Sequence, residues 1–181
     1  MANAYRIYKA RTKFTRYIEE YANDFQSDLS KGKEELKIDY KADIEAESEK
    51  EYLDKFKKKR SEDLRYLSTQ AGIHRDDIVI SINGKNTRLF ASQGQQRSAI
   101  INIKLAQVKL TRKVTRERAV ILLDDVFSEL DESRSKFLLD KLDGYQTIIT
   151  ATNTKSLEDV SMAKKWRISD GRIRKDKYEY K

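Results

Sequence analysis

Apolar side chains recur at helical spacing from the start of the chain. From Tyr5 to about Leu29, Tyr8, Phe14, Tyr17, Ile18, Tyr21, Phe25 and Leu29 fall near one face of a long helix, the stripe such a helix needs to bury one side. Gly32 predicts its end. From Glu35 to Lys41, Leu36, Ile38 and Tyr40 alternate with polar residues, the period of a strand. Ser48 and Glu51 stand at capping-box spacing and open a second helix whose apolar face carries Tyr52, Leu53, Phe56, Leu64 and Leu67. Continuous helical spacing assigns these aromatic residues to packing rather than to a base-stacking platform.

The second half changes period. Ile78–Ile82 and Thr87–Phe90 read as two strands joined by Asn83-Gly84, a pair that favours a type I′ hairpin turn. A polar segment, Ser92-Gln93-Gly94-Gln95-Gln96-Arg97, then feeds a helix whose apolar positions run from Ser98 to Leu110. The apolar run Ala119-Val-Ile-Leu-Leu123 predicts a strand buried on both faces, closed by Asp124-Asp125. Asp131 can cap a helix bearing Phe137, Leu138 and Leu142, which Asp143-Gly144 ends. Gln146–Thr152 reads as another buried strand. Trp166–Ser169, Asp170-Gly171 and Arg172–Arg174 form a closing hairpin, with Trp166 assigned to packing.

Three segments carry candidate chemistry. Asp124 and Asp125 sit where a buried strand ends, the edge at which open α/β sheets bind ligands, and adjacent carboxylates there suit Mg²⁺ and a water-activating neighbour. The Ser92–Arg97 segment places unpaired backbone N–H groups and the positive end of a helix dipole where an anion such as phosphate can bind; a helix N-cap with a solvated polar turn is the plainer alternative. His74-Arg75-Asp76-Asp77 offers an imidazole and two carboxylates, either as a metal or catalytic cluster or as satisfied structural groups.

The order of these segments resembles the ABC and SMC superfamily of ATPases. Ser92-Gln93-Gly94-Gln95-Gln96 resembles its signature motif, Asp124-Asp125 its Walker B site and Ser128-Glu129-Leu130-Asp131 its D-loop. More narrowly, Gly72-Ile-His-Arg-Asp-Asp77, the Ile82–Gly84 turn and Ile121–Asp131 are similar to the C-terminal half of the RecF family of bacterial recombination mediators, over the chain from about Lys9 onward. RecF-like sequences usually carry proline where Ile73 stands. The resemblance implies an α/β fold, the C-terminal part of an ABC/SMC-like ATPase head with an adjoining small helical lobe. The second lobe would take residues 1–75 and the ATPase lobe residues 76–181.

It further implies ATP and Mg²⁺ as cofactors. Asp124 would hold Mg²⁺ through the nucleotide and Asp125 would orient or deprotonate the attacking water; most ABC ATPases have glutamate there, and the shorter aspartate predicts slow hydrolysis. Ser92 and the backbone near Gly94 would grip the γ-phosphate of ATP held by a second copy, giving a two-fold, ATP-dependent dimer. Thr150-Ala151-Thr152 occupies the switch region, where many ABC ATPases place a histidine. The implied partners are DNA, in the form of duplex near single-strand gaps, and the proteins RecO and RecR. Larger SMC relatives insert long coiled coils, and no sustained heptad pattern occurs here.

None of Gly32, Gly72, Gly84, Gly94, Gly144 or Gly171 begins a Gly-x-x-x-x-Gly-Lys-Ser/Thr phosphate loop. The expectation is a C-terminal fragment, natural or artificial, that is inactive as an ATPase by itself. The formal charge of +8 and pI near 9.4 favour a polyanionic partner, nucleic acid before membrane, although both signs are interspersed. Basic residues cluster at Lys55–Arg60, Lys109–Arg118 and Arg172–Lys181. The chain has no cysteine, which suits a reducing compartment. With neither a transmembrane run nor a signal-peptide core, the expected location is the cytoplasm. Two rivals compete with the ATPase reading: a free-standing Mg²⁺-dependent nuclease or phosphatase using Asp124, Asp125 and Asp131, and a nucleic-acid-binding interaction module without ATPase activity.

Overall fold

The computed structural model describes residues 2–152 and 164–175 and divides into two compact units, Met1–Ala119 and Val120–Lys181. In the first, helix α1 (Ala2–Ser30) is followed by β1 (Leu36–Lys41), α2 (Glu49–Lys58), α3 (Arg60–Tyr66), β2 (Asp77–Ile82), β3 (Lys85–Asn86), a single turn α4 (Thr87–Phe90) and the long helix α5 (Gln93–Thr115). In the second, β4 (Ile121–Asp124), a 3₁₀ turn (Val126–Glu129), α6 (Glu132–Leu142) and β5 (Thr147–Thr150) precede the hairpin β6 (Trp166–Ser169) and β7 (Arg172–Lys175).

The first unit is built on α1 lying along α5. Ile18, Tyr21, Ala22, Leu36, Ile38, Ile82, Ala99 and Ala106 form its buried core, with Phe25, Ile80, Ile103 and Leu110 packed around them. Alanine at 22, 99 and 106 lets the helix backbones approach closely. Gly32 ends α1 with φ of +76°, and its N–H donates to the Ser27 carbonyl at 2.8 Å, a left-handed helix stop. A three-stranded antiparallel sheet in the order β1-β2-β3 covers another side, with Leu36 opposite Ile82 and Lys41 opposite Asp77. Asn83 and Gly84 both take positive φ, +49° and +74°, as the I′ turn requires.

Packing departs from the sequence expectation at several points, and Phe14 and Tyr17, assigned to packing, are 47% and 39% exposed. The second hairpin strand is only Lys85–Asn86, because Asn86 accepts the Arg88 N–H at 2.9 Å and turns Thr87–Phe90 into a helical turn. The second helix breaks at Lys59 into α2 and α3, so Leu64 and Leu67 are 68% and 92% exposed rather than packed. Its capping box is also half shifted: Ser48 accepts the Glu51 N–H, but the Glu51 carboxylate accepts from Glu47. β1 pairs with β2 and α1 packs on α5, so residues 76–119 belong by packing to the same unit as residues 1–75.

The Gly72–Asp77 segment is a structural knot. Asp76, its side chain 4% exposed, accepts from Arg11 at 3.0 Å, from the Tyr40 hydroxyl and from the Asp43 N–H at 3.0 Å. Asp43 accepts from the Gly72 N–H at 2.8 Å, and a Cβ at Gly72 would meet the Phe56 ring at 3.3 Å. His74 pairs with the Thr69 carbonyl at 3.2 Å. Burial, followed by the hydrogen bond to Asp76, pushes the Tyr40 hydroxyl pKa well up, so Tyr40 remains a donor at neutral pH. Among the described residues, no group of three or more His, Asp or Glu side chains could hold a metal.

Asp76→Ala leaves three donors without their acceptor and is expected to lower stability by about 2–3 kcal/mol. Tyr40→Phe removes one bond and is expected to cost about 1 kcal/mol. Urea titration of the chain followed by circular dichroism checks both and their order.

Candidate functional site

The signature segment is a helix start fixed from within. Ser92 is the N-cap of α5: its hydroxyl accepts the Gln95 N–H at 3.3 Å while the Gln95 side-chain oxygen accepts the Ser92 N–H at 3.0 Å, a complete capping box. The same Gln95 donates its amide to Glu34 at 2.7 Å, and Gln96 donates to the carbonyls of Thr87 and Ala91. Glu34 also accepts from Gln26 at 2.5 Å, and Gln26, fully buried, accepts from fully buried Asn102 at 2.7 Å. A chain of polar contacts thus runs from the first turn of α5 back to its own middle by way of α1. Sequence reasoning missed Glu34, Gln26 and Asn102; the one available signal was the polarity of Gln26 and Asn102 within otherwise apolar helical faces, and Glu34, in the connection between α1 and β1, gave none.

With Gln95 and Gln96 engaged internally, the groups left for an anion are the N–H groups of Gln93 and Gly94, which are first-turn donors without an intrahelical acceptor, and the Ser92 hydroxyl hydrogen. Ser92 and Gln93 are exposed and Gly94 half-buried. Gly94 lies inside the first turn of the helix, not in a left-handed bend. The helix N-cap and the loop expected to face an anion are therefore the same residues.

In the second unit, β4 and β5 pair in parallel, with Leu122 opposite Ile148 and Asp124 opposite Thr150. The acid pair stands at the C-terminal end of β4, and both carboxylates are exposed. The Thr150 hydroxyl donates to Asp124 Oδ1 at 2.5 Å and accepts the Asp125 N–H at 3.1 Å. Asp125 takes φ of +49°, a left-handed position that aspartate tolerates better than most residues other than glycine, held as its N–H also reaches the Thr150 carbonyl at 3.1 Å. Thr152 donates weakly to Asp125 Oδ1 at 3.4 Å. Of the two threonines expected to form the switch region, Thr150 is thus tied to both aspartates and Thr152 to Asp125.

The strand expected to be buried on both faces is buried on one. Ile121, Phe127, Leu138 and Leu142 are buried, whereas Val120, Leu122 and Ile148 are 52%, 70% and 55% exposed. This sheet has two strands among the described residues, and the face shared by Leu122, Asp124, Ile148 and Thr150 is left open. Trp166, expected to pack, is 61% exposed. In the D-loop segment, the Ser128 hydroxyl donates to the Asp125 carbonyl at 2.8 Å and Leu130 is half-buried. The backbone of Glu129 closes the 3₁₀ turn. Asp131 caps α6, accepting from the Arg134 N–H at 2.9 Å and the Ser133 hydroxyl at 2.8 Å, and it ion-pairs with Arg134. The bond from the Arg134 N–H, more than any other contact, holds the Asp131 carboxyl below the usual aspartate range.

No protein-family model matches the chain. Over 130 residues, 70% of this chain, it is 44% identical to the DNA replication and repair protein RecF of Clostridium botulinum (strain Loch Maree / Type A3). Over 110 residues it is 47% identical to the protein of that name from Thermoanaerobacter sp. (strain X514). A solved structure of the recombination mediator protein RecF-ATPrS in the RecFOR pathway superposes with a TM-score of 0.79 at 36% identity and covers 96% of this chain. The chain is RecF-like. Its α/β fold is the fold of the matched part of that ATPase, and a second structure, of RecF-ATP, matches equally well with a TM-score of 0.79. The RecF-like chain spans 36% of the length of the Clostridium relative and 47% of the solved chain. No helix among the described residues is long and apolar enough to cross a membrane.

A folded-state pKa below the unfolded value means that the Asp131 carboxylate contributes stability above pH about 4, which is lost as pH falls through the depressed value. Asp131→Ala is expected to cost about 1 kcal/mol at neutral pH through the lost cap. The difference from the parent should shrink in urea titrations below pH about 4.

Proposed function

We propose that this chain is the C-terminal part of a RecF-like ATPase whose nucleotide site is completed by sequence outside it. The observation that carries the reading is the hydroxyl-tethered acid pair at the C-terminal end of β4, beside an open apolar face, in a chain without a phosphate loop. Exposed apolar area next to a polar cluster marks a surface that another segment covers. Here that segment would bring the phosphate loop.

The donor set fits Mg²⁺ held largely by nucleotide: one exposed carboxylate, with phosphate oxygens and water supplying the rest, is how Mg²⁺ is usually bound in such sites. When bound, the ion neutralises charge on the phosphates. Asp124, fixed by Thr150, is the carboxylate that would hold it. Asp125 would accept a hydrogen bond or a proton from the attacking water, and its left-handed backbone sets where its short side chain can reach. The Gln93 and Gly94 N–H groups and the Ser92 hydroxyl would meet the γ-phosphate of a nucleotide bound to a second copy, because a helix start binds anions without rearrangement. Asp131, whose side chain is committed to its own helix, would serve the dimer junction by placing the Ser128–Asp131 backbone. Phosphoryl transfer depends on positioning and charge, so division of the site between two copies is chemically sufficient.

On this reading the whole protein forms an ATP-dependent dimer that binds duplex DNA near single-strand gaps and acts with RecO and RecR in recombinational repair. Residues 76–181 carry the ATPase-lobe motifs and residues 1–75 the second lobe, although residues 76–119 pack with the latter. The relatives are named for DNA replication and repair, and the solved structures belong to the RecFOR pathway.

Mixing the chain with a separately purified polypeptide bearing the phosphate loop of the same reading frame is expected to restore Mg²⁺-dependent ATP hydrolysis, with neither part active alone. Leu122→Glu should leave the melting of the isolated chain unchanged, since Leu122 is already exposed, yet abolish complementation. Nuclease or phosphatase activity without added nucleotide would reject the proposal in favour of a free-standing metal hydrolase.

A further inference from the structure

The first half of α1 carries Arg6, Lys9, Arg11, Lys13 and Arg16 and no acid before Glu19; the second half carries Glu19, Glu20, Asp24 and Asp28. Arg11 is used internally, pairing with Asp76 and the Ile73 carbonyl. The other four have a different placement. Arg6, Lys9, Lys13 and Arg16 follow one another at intervals of three, four and three residues, which puts them in one line along the helix. All four are exposed, and none has an ion pair among the described residues.

Packing fixes which way this line faces. Ile18 and Ala22 are buried in the core, and Glu19 and Asn23 accept the Ile38 and Leu36 N–H groups of β1. The line of cations lies on the remaining side. Beyond the line, Lys113, near the end of α5, donates to the Tyr21 hydroxyl at 2.9 Å, while Lys109, 4.4 Å from the centre of the Tyr21 ring, is paired with Asp24 and adds no free charge. Tyr17, 39% exposed, has Lys13 at 5.9 Å from its ring centre.

We infer that the line Arg6–Lys9–Lys13–Arg16 on α1 is a docking surface for the phosphate backbone of duplex nucleic acid. The inference rests on the DNA-binding part of the function proposed above and assigns it a place. The line spans about 15 Å along the helix axis, roughly the rise of four base pairs, so its cations can meet successive phosphates of one strand. Arginine and lysine without base-reading partners predict binding that depends on salt and little on sequence. An anionic bilayer fits less well, because a helix lying in a membrane interface presents a continuous apolar face to the lipid, whereas Ile18, Tyr21 and Ala22 of α1 are buried in the core and, of its large apolar residues, only Ile7, Phe14 and Tyr17, 37%, 47% and 39% exposed, reach the surface.

The test uses the chain itself. Fluorescence anisotropy with labelled duplexes of two unrelated sequences, across a salt series, compares the parent with R6Q/K9Q/K13Q/R16Q and with K31Q/K33Q/K37Q/K85Q. The second variant removes the same charge around the turn after α1 and the hairpin it meets. Glutamine keeps helix propensity, and both variants should melt with the parent. The first is expected to lose about tenfold or more in affinity on both duplexes, with the slope of log affinity against log salt reduced by about 3 to 4, while the control changes less than about threefold. Equal loss in both variants, or no loss in the first while the parent binds, overturns this placement and leaves DNA binding standing. A parent that binds neither duplex at low salt overturns both. Tighter binding of the parent to vesicles of phosphatidylserine than to duplex, lost in the first variant, overturns it in favour of a lipid surface.

Discussion

The buried hydrogen bond from Asn102 to Gln26 sets where α5 lies on α1. Around it the interface is apolar and lined with alanine at 22, 99 and 106, a surface smooth enough to tolerate sliding by a turn. The amide pair does not tolerate it. A shift would leave two fully buried polar side chains unpaired, at a cost of about 1–3 kcal/mol each. The Asn102 side-chain oxygen meets no hydrogen-bond donor among the described residues, so the pair is held by the amide donor alone. Fixing α5 also fixes its first turn, because Gln26 and Gln95 converge on the two oxygens of Glu34. The donors of Ser92, Gln93 and Gly94 are presented by a rigid start rather than by a flexible loop.

The acid pair is held by a shorter device. A parallel register sets Asp124 beside Thr150, and one hydroxyl then serves both aspartates, as donor to the first carboxylate and as acceptor for the second backbone N–H. A hydroxyl cannot carry charge as an imidazole can. Its contribution is orientation, and it links any displacement of the end of β5 directly to the carboxylates. The apolar face beside them is open, so the first unit has its core within the chain while the second exposes part of what other α/β domains cover.

Charge follows the same division between local and assembled order. Apart from Arg11, which is held by Asp76 and the Ile73 carbonyl, the cations of the first half of α1 make no ion pair among the described residues and leave that half basic at the surface. Lys109 and Lys113 from the end of α5 meet Tyr21 only because the helices run along each other, and Lys109 pairs there with Asp24. The net charge of +8 states that a polyanion is favoured and says nothing of where it would bind.

The sequence by itself determined the elements and the motif positions. Helical spacing placed α1 and α5, Asn83-Gly84 placed the turn between β2 and β3, Ser92 and Asp131 were legible as caps, and the apolar run before Asp124 was legible as a strand end. These features are set by sterics and hydrogen bonds acting within a few residues, so they can be read from neighbours alone. The tertiary structure decided what is joined to what: Glu34 to Gln95 across 61 positions, Asn102 to Gln26 across 76, Asp76 to Arg11 across 65, and Thr150 to both aspartates. It also decided that Thr87–Phe90 coils instead of pairing, that Leu64 and Leu67 stay in water, and that β4 is covered on one side. Each of these outcomes depends on which surfaces remain after the rest of the chain has packed, and a polar side chain distant in sequence acquires its partner only when burial removes the water that would otherwise serve.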